Sequence, residues 1–490
     1  MSGLTSALSN ALSGLLVTSG QSAVVSRNVT SANDENYTRK QVSVVSNLNG
    51  TARLASIQRV SEKALLDSML QSSSDAGLNS TKLEALKNLG ATVGDVQSDG
   101  SIAWSIDQLK KSLQSYEADP ANTTLANQAI ASAKTLSQSL NDATATVQSV
   151  RSQADTGIAV SVKTINELLS QFQKLDAQIS TGGSDSGDKA TAQDSRDAIL
   201  KSISSEIGIR TTTRSDGSMA IYTDGGVTLY DRSVRNISFT PTPTLSAGAQ
   251  GQQVLADGVL ITGAASPMAS KTGKIVAFFQ IRDQVAPTYQ NQLDELARSL
   301  IASFAEKDQS NPATLPNATG LFNYSGSPAV PPSGALIPGL AGQISVNPGF
   351  DRTVGGNPSL LRDGGANGAA YNSNTSNVSG FQSRLTALLG GFGQQQSFSN
   401  AAQLQTADTV VGFATESSGW LEGLRSAASD QATASQATMN RTKDALLRTT
   451  GVNLDQEMAT MLSLEQSYQA SAKVMTTVDR MYTALSDMVR

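Results

Sequence analysis

The chain has 490 residues, enough for roughly two to four domains at about 100–200 residues each. Hydrophobic residues make up 39% of it and aromatic residues 4%, which favours slim helical bundles and shallow β domains over one deep core. The net charge of −5 disfavours a nucleic-acid partner. The absence of cysteine and histidine excludes disulfides, thiolate nucleophiles, Cys/His zinc sites and histidine-dependent triads.

The first 26 residues carry no charged side chain, and Arg27 is the first charge. A secretory signal requires a basic residue before its apolar core, and none is present here. Polar residues also interrupt the apolar ones too often for a membrane span. Spacings that alternate between 4 and 3 instead predict a helix packed along another helix through one continuous seam. The seam residues are Leu4, Leu8, Ala11, Leu15, Thr18, Ser22, Val25 and Val29. The opposite face is neutral, which favours contact with protein on several sides over the alternative, an ordinary buried helix of a monomer.

The segment RNVTSANDENYTRKQVSVVS follows this helix and contains the turn formers Asn33, Asp34 and Asn36. Asparagine tolerates the left-handed backbone that a helix stop requires. From Gln41 to Val45 the alternation of apolar and polar residues predicts a strand.

Residues 61–180 are predicted to be helical, with apolar stripes over 102–116, 136–150 and 158–179 that form the core of an elongated bundle. A short helix is expected at about 191–207. Residues 208–265 alternate β-branched and polar residues around SDG and TDGG, which predicts hairpins. The helical pattern returns at 271–306 and from about 379 to the end. Residues 309–350 are uncharged, rich in Pro, Gly and Ser, and predicted to be irregular or weakly β.

The last helix repeats the seam of the first. Its seam residues are Met461, Leu464, Tyr468, Ser471, Met475, Val478, Tyr482, Leu485 and Val489. Two such helices at opposite ends of a chain are natural partners. Because the first contains several glycines and serines, we expect both to be largely disordered in an isolated chain and to fold on assembly.

The sequence offers little for catalysis or metal binding. Asp185 and Asp188 lack the ligand spacing of an EF-hand, and a solvated loop explains them better. Asp194 and Asp197, with Arg196 between them, indicate a surface or intrahelical ion pair rather than catalytic carboxylates. We therefore predict no catalysis, no metal and no cofactor.

Several stretches resemble a known family. RNVTSANDENYTRKQVSV at 27–44 resembles the asparagine-rich signature that follows the first helix of flagellar rod, hook and hook-associated proteins, and Asn36 stands where the signature has glycine. Residues 451–489 are similar to the C-terminal signature of the same axial proteins. Residues 191–226 and 273–306 resemble segments typical of the FlgK family (hook-associated protein 1), which hook and rod proteins lack; 344–365 adds weaker support.

The resemblance implies a structural protein of the hook–filament junction. It implies export through the flagellar type III apparatus without a cleaved signal peptide, and an extracellular place at the distal end of the hook. The implied partners are further copies of the chain, the hook protein, the second junction protein and an export chaperone, without nucleic acid or a membrane span. The alternatives are another axial flagellar protein of hook or rod type, and a type III secreted effector, which would not require heptads at both ends.

The resemblance and the seams together predict an assembly interface, in which the two terminal helices pair along their seams and neighbouring subunits cover the neutral remainder. The residues of this interface are Leu4, Leu8, Leu15, Val25, Asn28, Asn33, Tyr37, Arg39, Leu454, Met461, Leu464, Tyr468, Met475, Val478, Tyr482 and Leu485. The expected fold is mainly α with a β insertion. Its inner coiled-coil domain comprises 1–45 and 454–490, its helical bundle 46–207, 271–306 and 379–453, its outer β-rich domain 208–270, and its irregular connecting segment 307–378.

Overall fold

The computed structural model describes residues 2–47, 50–91, 101–181 and 187–488. The prediction of a mainly α fold with a β insertion is confirmed. The helices are α1 Ser2–Thr30, α2 Lys63–Gly90, α3 Ile102–Ala118, α4 Thr123–Thr181, α5 Gly187–Glu206, α6 Lys274–Gln280, α7 Ala286–Ser303, α8 Leu360–Asp363, α9 Ser383–Gly391, α10 Val410–Thr450 and α11 Leu454–Met488. Short 3₁₀ turns lie at Leu340–Gly342, Pro348–Phe350, Arg352–Val354, Ala369–Tyr371 and Asn400–Ala402, and a π-helical turn, Ile281–Val285, joins α6 to α7.

The strands form small antiparallel sheets. They are β1 Lys40–Ser46, β2 Ala52–Arg59, β3 Ile209–Thr213, β4 Met219–Thr223, β5 Thr228–Asp231, β6 Ser233–Val234, β7 Ile237–Ser238, β8 Leu255–Ala256, β9 Val259–Leu260, β10 Phe322–Asn323, β11 Ser345–Val346, β12 Gln396–Ser397 and β13 Ala407–Asp408. The hairpins predicted at SDG and TDGG are those between β3 and β4 and between β4 and β5. Gly217 and Gly226 take positive φ at these turns, a conformation that glycine adopts without a steric penalty.

The two terminal helices pair with each other, as the seams predict. The pairing is antiparallel, since Gly14 lies beside Ser471 and Asn28 beside Glu457. A Cβ at Gly14 would come within 3.3 Å of Ser471 Oγ, so the helices approach closely there. Contrary to the expected disorder, α1 and α11 are continuous helices in the single chain. Their mutual packing supplies the tertiary stabilisation that their own sequences lack.

Helix α4 is one helix of 59 residues, about 90 Å long at about 1.5 Å per residue, and it carries both of the later apolar stripes. No proline interrupts it, and Gly157, which faces the ring of Phe278, leaves it unbroken. Helix α3 ends at Ala118, before Asp119 and Pro120. It begins at Ser101, whose Oγ accepts a hydrogen bond of 3.1 Å from the Trp104 N–H.

Two hydrophobic cores lie along α4. The first half of α4 packs with α3, α7, α9 and the start of α10 around buried Leu136 and Phe413. The second half packs with α5, α6 and strands β3–β9 around buried Phe172 and Ile221. The strands of 208–270 thus share a core with α4 and α5. The four-part division into domains stays a prediction.

Buried polar side chains of α7 hold the irregular segments in place. Asp294 accepts hydrogen bonds from the backbone N–H groups of Gly339 and Ala341, at 2.8 and 2.9 Å. Glu295, on the next position, accepts from the Ser399 N–H at 3.0 Å and pairs with Arg298. Residues 307–378 are mostly irregular, with only short helical turns and strands, and several of their apolar side chains, including Phe322 and Phe350, are fully buried in the first core.

Candidate functional site

The predicted seam of α1 faces inward. Leu4, Leu8 and Leu15 are half-buried, and Val25 is buried. They pack against α11 and the β1–β2 hairpin, whose Leu54 lies against Gly20. The outward side of α1 exposes Leu12 and Leu16 among serine and threonine residues, without a charge before Arg27.

The predicted seam of α11 divides into two columns with a seven-residue repeat. In the inner column Leu464 is half-buried and Val478 is buried, whereas Leu485, near the end, is exposed. We call the other column the outer column. It contains Leu454, Met461, Tyr468, Met475 and Tyr482. Met475 is half-buried, whereas Leu454 is 47% exposed, Met461 39%, and Tyr468 and Tyr482 45% each. Val489 lies outside the described residues.

The antiparallel pairing explains the division. Helix α1 packs along α11, and the side chains of the outer column, apart from half-buried Met475, stay exposed. A heptad column of large apolar residues that stays in water is typical of a helix with a further packing partner.

A polar cluster, which we call the joint, lies where the terminal helices meet the rest of the molecule. Its centre is Asn28, which is 1% exposed. Asn28 Nδ2 donates to the Lys40 carbonyl and to Glu457 Oε2, both at 2.9 Å. Asn28 Oδ1 accepts from the Tyr37 hydroxyl at 2.8 Å and from the Lys40 N–H at 3.1 Å. A carboxamide, which donates and accepts on one planar group, satisfies all four of these contacts.

The joint ties four helices together. Arg39 Nε donates to Glu457 Oε1 at 2.6 Å, and the Arg39 N–H donates to the Thr450 carbonyl at the end of α10, at 2.7 Å. Lys40 Nζ lies 3.1 Å from Asp194 Oδ2 on α5. The ends of α1 and α10, the start of α11 and the side of α5 therefore meet in one buried network.

Tyr37 stays protonated in the joint. Burial, together with the nearby charge of Asp194, raises the pKa of the Tyr37 hydroxyl to about 12. The hydroxyl therefore donates to Asn28 across the neutral range. Lys40 Nζ lies 3.8 Å from the centroid of the Tyr37 ring, a cation–π contact that helps fix the ring.

One expectation about this region, a left-handed backbone at Asn36, is wrong. Asn36 does not take a left-handed backbone, and none of residues 31–39 has a positive φ. The turn is closed instead by Asp34 Oδ1, which accepts from the Asn36 N–H at 2.9 Å. Asn33 is exposed in this turn, and its place in the assembly interface stays a prediction.

The pair Asp194 and Asp197 is also not the surface or intrahelical ion pair that the sequence favoured. Both side chains are largely buried and reach β2, where Arg59 Nη1 lies 2.6 Å from Asp197 Oδ2 and 3.4 Å from Asp194 Oδ1. Arg196 instead pairs with Asp176, with 3.0 Å between Arg196 Nη1 and Asp176 Oδ1.

Sequence reasoning missed Glu457, Lys40, Arg59 and the role of Asp194. A signal for Glu457 was present, because it occupies the inner column seven residues before Leu464. A carboxylate at a seam position needs a buried partner. The other residues carry no such local signal.

Within the described ranges, no group of three or more acidic side chains is arranged to hold a metal ion. Asp188 lies in the first turn of α5, and Asp185 falls outside the described residues. None of the described helices has the length and apolar content that crossing a membrane needs.

Comparisons with known proteins identify the family. The family model "Flagellar hook-associated protein FlgK helical domain" matches residues 86–319, and "Flagellar basal body rod FlgEFG protein C-terminal" matches 445–488. These two matches support a FlgK-family hook-associated protein. The FlgK helical domain distinguishes it from the hook and rod alternatives, and a place in the bacterial flagellum follows from the family.

The fold agrees with this family. A solved structure, that of the flagellar hook junction protein FlgK from Burkholderia pseudomallei, is similar with a TM-score of 0.56 at 14% sequence identity. The similarity covers 77% of this chain and 99% of the Burkholderia chain. No curated protein sequence matches the chain.

Proposed function

We propose that this FlgK-family protein is a structural subunit of the hook–filament junction and that it joins the polymer through its terminal helix pair. Family membership and the hook junction protein of similar fold support the location. The observation that carries the mode of assembly is the outer column of α11, a regular heptad column exposed in the single chain.

A second copy of the chain is the occupant of the outer column. Fully burying one large apolar side chain contributes about 1.5–3 kcal/mol. The outer column has four exposed members, Leu454, Met461, Tyr468 and Tyr482, so covering them contributes several kcal/mol to each contact between copies. The outward side of α1 suits this contact because it offers Leu12 and Leu16 and no charge that would have to be desolvated.

The joint fixes the orientation of the terminal helix pair relative to the rest of the subunit. Asn28, Arg39 and Glu457 bind α1 and α11 to each other, and Lys40 binds them to α5 through Asp194. A subunit added to the polymer through α1 and α11 thereby presents its helical and β regions at a defined angle. The role needs no catalysis and no cofactor.

Membership of the family supports the remaining partners. The subunit contacts the hook protein on one side and the second junction protein on the other. It reaches the outside of the cell through the flagellar type III export apparatus, and an export chaperone binds it before export.

Charge placed in the outer column tests the proposal. In a strain lacking the native protein, the Tyr468→Asp chain is expected to be exported yet to leave hooks without filaments, with flagellin released into the medium. Because Tyr468 is exposed, the purified variant should keep its helical content by circular dichroism. Thr433→Asp, at an exposed position of α10, adds the same charge away from the terminal helices and should support filaments. Normal filaments with Tyr468→Asp would contradict the proposal.

A further inference from the structure

Methionine is concentrated on the last helix. Five of the ten methionines of the chain lie on α11, and four of these are exposed. They are Met458 at 52%, Met461 at 39%, Met481 at 54% and Met488 at 86% exposed. In the body of the molecule Met69 and Met219 are buried, and Met268 is 38% exposed.

These methionines lie in or beside the exposed heptad columns. Met461 occupies the outer column between Leu454 and Tyr468, and Met458 lies one turn before it. Met481 and Met488 continue a further exposed column that begins at Val474, again with a seven-residue repeat. A contact that covers these columns therefore buries several thioethers.

A thioether is the apolar side chain most readily made polar. A peroxide transfers one oxygen atom to the sulfur, so that the O–O bond breaks, an S–O bond forms, the sulfur loses two electrons and the peroxide leaves as water or an alcohol. The product, methionine sulfoxide, is polar and chiral, and it disrupts apolar interfaces rich in methionine.

We propose that the exposed methionines of α11 form an oxidation-sensitive switch on assembly. In the free subunit their sulfurs are open to peroxide, and the sulfoxides prevent α11 from packing against the next copy. In the polymer the same sulfurs are covered and protected. This inference rests on the proposed function, because it requires α11 to form the contact between copies.

The first experiment maps where peroxide acts on the full-length free chain. Mass spectrometry after a graded hydrogen peroxide treatment is expected to find sulfoxide at Met458, Met461, Met481 and Met488 well before Met69 and Met219. In the polymer, the same four positions should react more slowly. Equal reaction rates at exposed and buried methionines, or unchanged rates in the polymer, would overturn the inference.

The second experiment asks whether oxidation blocks assembly. Burying a sulfoxide without hydrogen-bond partners is costly, so incorporation of the oxidised chain onto isolated hooks should fall about tenfold or more. The two methionine sulfoxide reductases should restore it. The variant M458L/M461L/M475L/M481L/M488L replaces all five methionines of α11 with apolar side chains of similar volume, and its incorporation should not respond to peroxide.

Two outcomes would overturn the switch: normal incorporation of the oxidised native chain, or no recovery after reduction. The unoxidised Tyr468→Asp chain separates this failure from failure of the proposed function. If the Tyr468→Asp chain still fails to join the polymer while the oxidised native protein assembles, the switch is wrong and the proposed contact between copies through α11 stands. If Tyr468→Asp assembles, the proposed function itself is wrong.

Discussion

Asn28 and Glu457, which are 429 residues apart in the sequence, are joined by a hydrogen bond of 2.9 Å from Asn28 Nδ2 to Glu457 Oε2. Both side chains are 1% exposed. The carboxylate of Glu457 also accepts from Arg39 Nε, so its charge is paired as well as hydrogen-bonded. One buried carboxylate thus holds the end of α1 against the start of α11.

Removing this carboxylate should loosen the terminal helix pair. Glu457→Ala leaves the Arg39 guanidinium and the Asn28 amide without their acceptor, and we expect a loss of about 3 kcal/mol. Hydrogen exchange of the α1 amides measures the change as a lower free energy of local opening. Glu465→Ala, at an exposed position of the same helix, is the matched control and should cost less than about 0.5 kcal/mol. Equal protection of α1 in the two variants would show that the joint does not hold the helices.

Alanine substitutions at two helical glycines should change the stability of the chain in opposite directions. At Gly77 on α2 an added Cβ would lie 2.5 Å from the Ser205 carbonyl oxygen, so Gly77→Ala should destabilise the chain by about 1–3 kcal/mol. Gly419 on α10 has no neighbouring atom within 4 Å of that position. Gly419→Ala should therefore stabilise by about 0.5–1 kcal/mol through helix propensity. Urea unfolding of both variants checks the signs, and a stabilising Gly77→Ala would contradict the close contact of α2 with α5.

A buried arginine joins α4 to the π-helical turn. Arg282 is fully buried, and its Nη1 lies 2.6 Å from Asp155 Oδ1 and its Nη2 2.6 Å from Asp283 Oδ2. Arg282→Ala leaves two buried carboxylates without a cation, so a loss of about 3–5 kcal/mol is expected. Urea unfolding gives the loss, and hydrogen exchange should locate it at the Gly251 amide, which donates to Asp283 Oδ1.

The exposed ion pair of Arg235 and Asp257 provides the control for Arg282. Arg235→Ala removes the same side chain from a solvated pair and should cost no more than about 1 kcal/mol. If both arginine variants unfold at the same urea concentration, the buried cluster is not a source of stability.

The stability of the chain should depend on pH through Asp294. Burial raises the pKa of this carboxyl from 3.8 to about 6, although it accepts hydrogen bonds from Gly339, Ala341 and Gln290. The folded state therefore binds the proton more tightly than the unfolded state. This contribution is fully present below about pH 4 and is lost as the pH rises through 6.

Asp294→Asn cannot titrate at this position, so it isolates the effect. Between pH 4 and pH 7 the native chain should lose about 3 kcal/mol of stability relative to Asp294→Asn. Urea unfolding of both proteins at several pH values gives the difference. A stability difference that stays constant with pH, or that changes in the opposite direction, would show that folding does not raise the pKa of Asp294.

The heptad pattern predicts the pairing of the terminal helices because it is local and repeated. Leu8, Val25 and Val478 could each be assigned to a helix contact from spacing alone. The same pattern cannot tell which column of α11 the helix α1 covers, because Leu464 and Met461 have equivalent places in the repeat. Only the position of α1 in space separates the inner from the outer column.

Long-range electrostatic contacts were less predictable. Asp194 and Arg59 are 135 residues apart, and nothing near either residue identifies the other. The segment 307–378 has the composition of a connection, yet Asp294 on α7 binds its backbone. A buried carboxylate in an amphipathic helix indicates that it has a partner without saying which one, and the partners here are backbone N–H groups of a loop.

The single helix α4 contributes side chains to both hydrophobic cores. A pull or twist applied at one core therefore reaches the other along one ladder of backbone hydrogen bonds, about 90 Å long, rather than across a linker. Under mechanical load this part of the subunit should bend as a beam, with no hinge at which its two halves could turn independently.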